Sequence, residues 1–158
     1  MSKSEQVGEL YKLDIDPLNE KLRTIQRLFD YLMNNRLESS FVSRGNPTAY
    51  DFTLSDFTTD GTWKIGSSAL DLSSIVDSDA KAVLLNIAII DDAINKSLIL
   101  RKSGSDNNYS QGVITTQVAN QIIYSDVVIE YNSDQKIEYQ CSNTTFSGIY
   151  VVVKGWWK

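Results

Sequence analysis

The stretch DVVIEYNSDQKIEYQC, residues 126–141, alternates apolar and polar side chains on either side of a polar turn. Val127, Ile129 and Tyr131 share one face of an extended segment, and Ile137, Tyr139 and Cys141 share one face of the next. Lys136, Glu138 and Gln140 fall on the opposite, wet face, because successive side chains of a strand point to opposite sides. Asn132-Ser133-Asp134 supplies the turn chemistry between them, so the pattern predicts a hairpin with one face on a core.

Working outward, the same period of two recurs over everything after Pro47. It predicts strands over Tyr50–Leu54, Thr62–Ile65, Ala82–Ile90, Ser97–Arg101, Val113–Val118, Gln121–Tyr124, Asp126–Tyr131, Lys136–Cys141 and Ile149–Lys154. Many short strands with no helix between them predict a mainly β head, a β-sandwich of jelly-roll type. Ala82–Ile90 is apolar on both faces, which predicts a central strand covered on both sides. Phe57 and Trp63 are expected to anchor the core.

Before Pro47 the period changes. Leu18, Leu22, Ile25, Phe29 and Leu32 recur at spacings of four and three, the pattern of a heptad seam. Asp16 before Pro17 is a helix-start signal, since proline is tolerated at the first helical position. The expected organisation is a loose segment 1–16, a helical stalk 17–42, a Gly/Pro linker 43–49 and the β head 50–158. Such a helix either associates with copies of itself as a coiled coil or folds down on its own head. Isolated helices of this length are marginal, so a stalk of this kind persists only as part of a larger assembly.

The ending Val151-Val152-Val153-Lys154-Gly155-Trp156-Trp157-Lys158 raises a second question of partnership. Adjacent Trp side chains on a strand point to opposite faces. One fills the core and the other needs a second apolar surface. Tyr150, Val152, Trp156 and Trp157 are therefore the candidate head interface, either under a loop or in a subunit contact, with the contact favoured because Trp and Tyr are enriched at interfaces.

Charge and composition exclude several functions. Lys and Arg number 15 against 20 Asp and Glu, a net charge of -5, and no basic cluster is present. Nucleic-acid binding and attraction to anionic membranes are disfavoured. The chain has no histidine and one cysteine, Cys141, so the commonest general base, the commonest metal ligand and any intrachain disulfide are missing. No P-loop, nucleophile elbow or dinucleotide fingerprint occurs. No catalytic residue, metal or cofactor is expected, and the adjacent acids Asp91-Asp92 read as a solvated turn. No apolar run is long enough to span a membrane, and MSKSEQVGEL carries no signal-peptide core, so folding in a cytoplasm is expected. The loop Lys102–Gly112, KSGSDNNYSQG, is the candidate recognition loop, with Asp106, Asn107, Asn108 and Tyr109 at its tip.

The stretches LDLSSIVDSDAKAVLLNIAIIDD (residues 70–92), SLILRKSG (97–104) and KIEYQCSNTTFSGIYVVVKGWWK (136–158), after a short coiled segment and a Gly/Pro break, resemble the head-bearing fibre and appendage proteins of tailed bacteriophages. The resemblance implies a homotrimer on the virion, made in the host cytoplasm. Residues 1–16 would dock on a capsid or tail protein, and Leu18, Leu22, Ile25, Phe29 and Leu32 would form the threefold seam. The head would face outward, towards a host-surface glycan or protein. The alternative expectation is a stand-alone carbohydrate-binding β-sandwich module using Tyr109.

Overall fold

A computed structural model describes residues 17–30, 40–107 and 111–158. The chain divides into two units between Glu38 and Ser39. In the first, residues 17–30 are helical (α1), built from good helix formers. Gln26 donates to Asp30 one turn on at 2.9 Å, an i,i+4 pair that supports the helix. Residues 1–16 and Leu32 lie outside the described residues.

The second unit is mainly β, with nine strands among the described residues, in two antiparallel sheets. They are β1 (Phe41–Ser43), β2 (Phe52–Thr53), β3 (Leu70–Asp71), β4 (Ala82–Ile90), β5 (Ser97–Lys102), β6 (Gln111–Thr115), β7 (Ile123–Glu130), β8 (Lys136–Cys141) and β9 (Gly148–Trp157). The larger sheet runs β1-β9-β4-β7, with β2 beside β1 on the same edge of β9; the smaller runs β3-β8-β5-β6. Among the described strands only β5 and β6 are consecutive and paired to each other; from β2 onward every other link crosses between the sheets.

The core lies between these sheets. Val83, Leu85, Ile87 and Ile89 of β4 form one inner row, and Ile149, Val151, Val153 and Trp156 of β9 form the next. Leu98, Leu100, Ile137, Tyr139 and Cys141 belong to the same cluster from the smaller sheet. Burying each large apolar side chain contributes roughly 1.5–3 kcal/mol, so these rows dominate the stability of the unit. Phe57 is in this cluster and stacks edge-on against Tyr139, with ring centroids 4.8 Å apart.

Several expectations change. The 126–141 stretch is not a hairpin: β7 pairs with β4, while β8 pairs with β5 and β3. The two strands belong to opposite sheets and contribute their inner residues to one core from two sides. The turn bends the chain out of its sheet, with Gln135 at a φ of 55° and its N–H donating to Asn132 O at 3.0 Å. The Asn132 amide donates to Ser103 O at 3.0 Å, which ties the turn to the β5–β6 loop instead. Alternation reports which face is buried, and a face can be buried equally well beside a strand or across from it.

Glu138 is buried rather than wet. Arg101 Nε donates to its Oε2 at 2.7 Å, and the Gly104 N–H donates to Oε1 at 2.9 Å. The Arg101 guanidinium in turn lies 3.8 Å from the Trp63 ring centre, so Trp63 is a half-buried cover on the outer side of the smaller sheet, not a core anchor. The Thr62–Ile65 segment forms only a bridge between Lys64 and Tyr139. Phe41–Ser43, expected as the end of the stalk and start of the linker, is a strand against the far end of the chain, with Phe41 opposite Trp157. β7 merges the two strands expected around Ser125, and β9 runs on to Trp157. Of β4, the inner row is closed on the core, but Ala82, Leu84, Asn86 and Ile90 on the outer side are only half-buried.

Gly112 shows how tightly the sheets meet at the β6–β7 corner. A Cβ there would stand 2.1 Å from Val127 Cγ1 and 2.6 Å from Ile129 Cδ1. Gly112→Ala is expected to lower the unfolding free energy by about 1–3 kcal/mol, as overpacking a closed core does. Guanidinium unfolding checks this, and an unchanged midpoint would contradict the close approach of β6 to β7.

Candidate functional site

The outer row of β9 was the candidate head interface, and the structure divides its residues. Trp156 points inward, is 7% exposed, and its indole N–H donates to Asp77 Oδ2 at 3.2 Å. It is consumed by its own chain. Trp157, on the other face, packs against Phe41 with ring centroids 4.8 Å apart. Gly155 permits this arrangement. A Cβ there would meet the Phe41 ring and the Val42 carbonyl oxygen, both at 2.4 Å. Tyr150 lies against Tyr50 at 4.8 Å between ring centroids, tilted by 36°. Both alternatives at the sequence level therefore have a claim: β1 and the following loop cover part of this ribbon, and Tyr150, Val152 and Trp157 remain half-buried.

That loop, residues 44–51, is a strap laid along β9. The Arg44 N–H donates to Lys154 O at 3.1 Å, and the Asp51 N–H donates to Val151 O at 2.9 Å. The Asp51 carboxylate, 7% exposed, accepts from the Val153 N–H at 2.8 Å and pairs with the Arg44 guanidinium. Both ends of the strap are thereby tied to one strand. Between strap and sheet an open groove of about 560 Å³ is lined by Pro47, Thr48, Ala49, Tyr50, Thr53 and Val152. Asp51 and Tyr50 were not singled out from the sequence. An Arg and an Asp seven residues apart around a Gly-Asn-Pro turn carry no periodic signal, and only the fold brings both onto β9.

Beyond the strap the outer face of the larger sheet stays open. Leu84 lies opposite Val128, and Ala88 opposite Tyr124. Val128 is 56% exposed and Tyr124 58%, separated on β7 by Asp126, which accepts from the Asn86 amide at 2.7 Å. In the first unit, Leu18, Leu22, Ile25 and Phe29 are each more than half exposed, as is Leu28 beside them. The heptad stripe is thus an apolar surface.

The candidate recognition loop is described only in part. Asp106 and Asn107 are exposed, and Asn108 and Tyr109 lie outside the described residues. The acid pair is not a solvated turn. Asp92 is exposed, but Asp91 is buried, accepting from the Ala93 N–H at 2.9 Å and the Asn143 amide at 2.7 Å. Its backbone carbonyl also accepts from the Asn120 N–H at 2.7 Å, so Asp91 clamps three loops at one end of the head. Among the described residues no three His, Cys, Asp or Glu side chains gather as a metal-binding group, and no helix is long and apolar enough to cross a membrane. Cys141 is buried, and burial pushes its thiol up to about 11, with Asp60 adding to the shift, so little of it is ionised at neutral pH.

Burial pushes the Asp91 carboxyl up, but the hydrogen bonds from Asn143 and Ala93, together with Asp92 and the Lys96 charge, outweigh it and hold the group below the usual carboxylate range. A depressed folded value means stability that is present above the unfolded value, about 3.9, and lost as pH falls through the folded one. Asp91→Ala is expected to cost about 1–3 kcal/mol at pH 7 and to flatten the stability loss below pH ~4. Urea unfolding at both pH values checks this, and an equal cost at both would contradict a charged clamp. No family model matches this chain, and no curated protein matches it.

Proposed function

We propose that the chain is a non-enzymatic structural protein, a homotrimeric bacteriophage fibre or capsid/tail appendage. It is attached to the virion through its N-terminal segment and presents a jelly-roll β-sandwich head for host-surface attachment. The observation that carries self-association is the heptad stripe: Leu18, Leu22, Ile25 and Phe29 are all more than half exposed. A coiled seam of identical helices removes this surface from water. A stand-alone sugar-binding module would leave the stripe without a role.

The jelly-roll reading is supported by the strand order, β1-β9-β4-β7 facing β3-β8-β5-β6, with the chain changing sheets from β2 onward at every step except β5 to β6. The trimer and virion placement rest on the resemblance of residues 70–92, 97–104 and 136–158 to phage fibre heads. The outer face around Leu84, Tyr124 and Val128 is the second contact surface, since a seam this short needs support from the head. The thick apolar ribbon of β9 contributes through Trp157 at its end.

The test is sedimentation of variants at the two surfaces. Ile25→Asp places a carboxylate of every copy in one apolar seam, and Val128→Lys places a charge on the head contact. Each is expected to weaken self-association by at least ~tenfold while leaving the β circular-dichroism signal intact. An unchanged mass distribution for Ile25→Asp would overturn the helical seam.

A further inference from the structure

We infer that the groove between the strap 44–51 and the outer face of β9 is a binding site for a neutral saccharide, with Tyr50, backed by Tyr150, as its platform. The inference stands on the groove itself and holds whether the head is single or assembled. Tyr50 is 47% exposed although its ring lies 4.8 Å from that of Tyr150, so an aromatic surface is presented to solvent at the edge of the sheet. Val152 gives the groove an apolar floor and Thr48 places a hydroxyl in its lining, while the Thr53 hydroxyl, also in the lining, is bonded to Ser55 and Asp56. Sugar rings carry both requirements at once, a C–H face that stacks on an aromatic ring and a hydroxyl rim that exchanges hydrogen bonds.

Charge narrows the ligand class. Among the described residues no carboxylate, ammonium or guanidinium lines the groove; the nearby Arg44 and Asp51 are spent on each other and on the backbone of β9, and the Asp56 carboxylate accepts from Thr53. A charged ligand would find no partner there. The strap is also tied at both ends before any ligand arrives, at Lys154 and at Val151 and Val153, so binding need not order it. The volume of about 560 Å³ falls within the roughly 300–1,000 Å³ of small-molecule sites and suits a mono- or disaccharide. The groove sits at the β2 edge of β9, while Leu84, Tyr124 and Val128 lie towards β7, so the site and the second contact surface occupy different parts of the sheet.

The experiment is saturation-transfer NMR and calorimetric titration of the full chain. The probes are the methyl glycosides of glucose, galactose, mannose and N-acetylglucosamine, with lactose and maltose. Saturable binding of at least one probe in the millimolar range is expected. Tyr50→Ala should weaken it tenfold or more, Thr48→Val several-fold, and Tyr50→Phe should keep most of it, with unfolding midpoints confirming that each variant is folded. Tyr124→Ala, on the other side of the sheet, should bind as the unaltered chain does. No saturable binding by any probe would overturn the inference. So would full binding by Tyr50→Ala, or a loss seen in Tyr124→Ala alone. A loss of self-association with sugar binding intact would count against the assembly reading only.

Discussion

The ladder between β4 and β9 is the constraint on which the rest of the head depends. The two strands pair from Ala82 opposite Trp157 to Ile90 opposite Gly148, with one register shift between Leu84 and Leu85, where Lys154 is the extra residue of β9. Their inner rows are the deepest part of the core, and each strand then serves a different partner on its free side. β9 carries β1, β2 and the strap; β4 carries β7. The last strand of the chain is thus neighbour to the first two, and the head closes only when its ends meet. Contacts so far apart in sequence make folding slow relative to a locally paired fold of the same size.

The pairing also decides which surfaces are left for function. Because β1 and the strap are hydrogen-bonded along one edge of β9, with Phe41 against Trp157 and Tyr50 against Tyr150, the aromatic ribbon of β9 is partly covered within the chain. What stays open is a groove beside Tyr50 and Tyr150, and a patch around Leu84, Tyr124 and Val128. Among the described residues, Trp63, Arg101 and Glu138 cover the centre of the smaller sheet's outer side.

Period-two alternation made the mainly β class, β4 and β8 legible, because burial of one face leaves a mark at every second residue. It said nothing of neighbours. Val127 and Ile137 look the same whether their strands lie side by side or across a core, so the 126–141 arch read as a hairpin. Glu138 and Trp63 were misplaced for a related reason: an Arg between them turns a wet face into a covered one, and that depends on a segment far away in sequence. Phe41–Ser43 is too short to show a period and is a strand only because β9 is there. The strap is the least visible of all, since Asp51 acts through backbone groups of Val153, which have no residue signature. The heptad spacing, by contrast, made a helix over residues 17–30 legible, and Leu18, Leu22, Ile25 and Phe29 are exposed on it.

Self-association is the claim on which the functional reading turns, and light scattering of the unaltered full chain over a wide concentration range tests it most directly. A mass of three times 17.8 kDa that holds on dilution is the expected result. A mass of 17.8 kDa at every concentration would contradict it, and would leave the exposed stripe of α1 and the Leu84–Val128 face without the partner that their composition calls for.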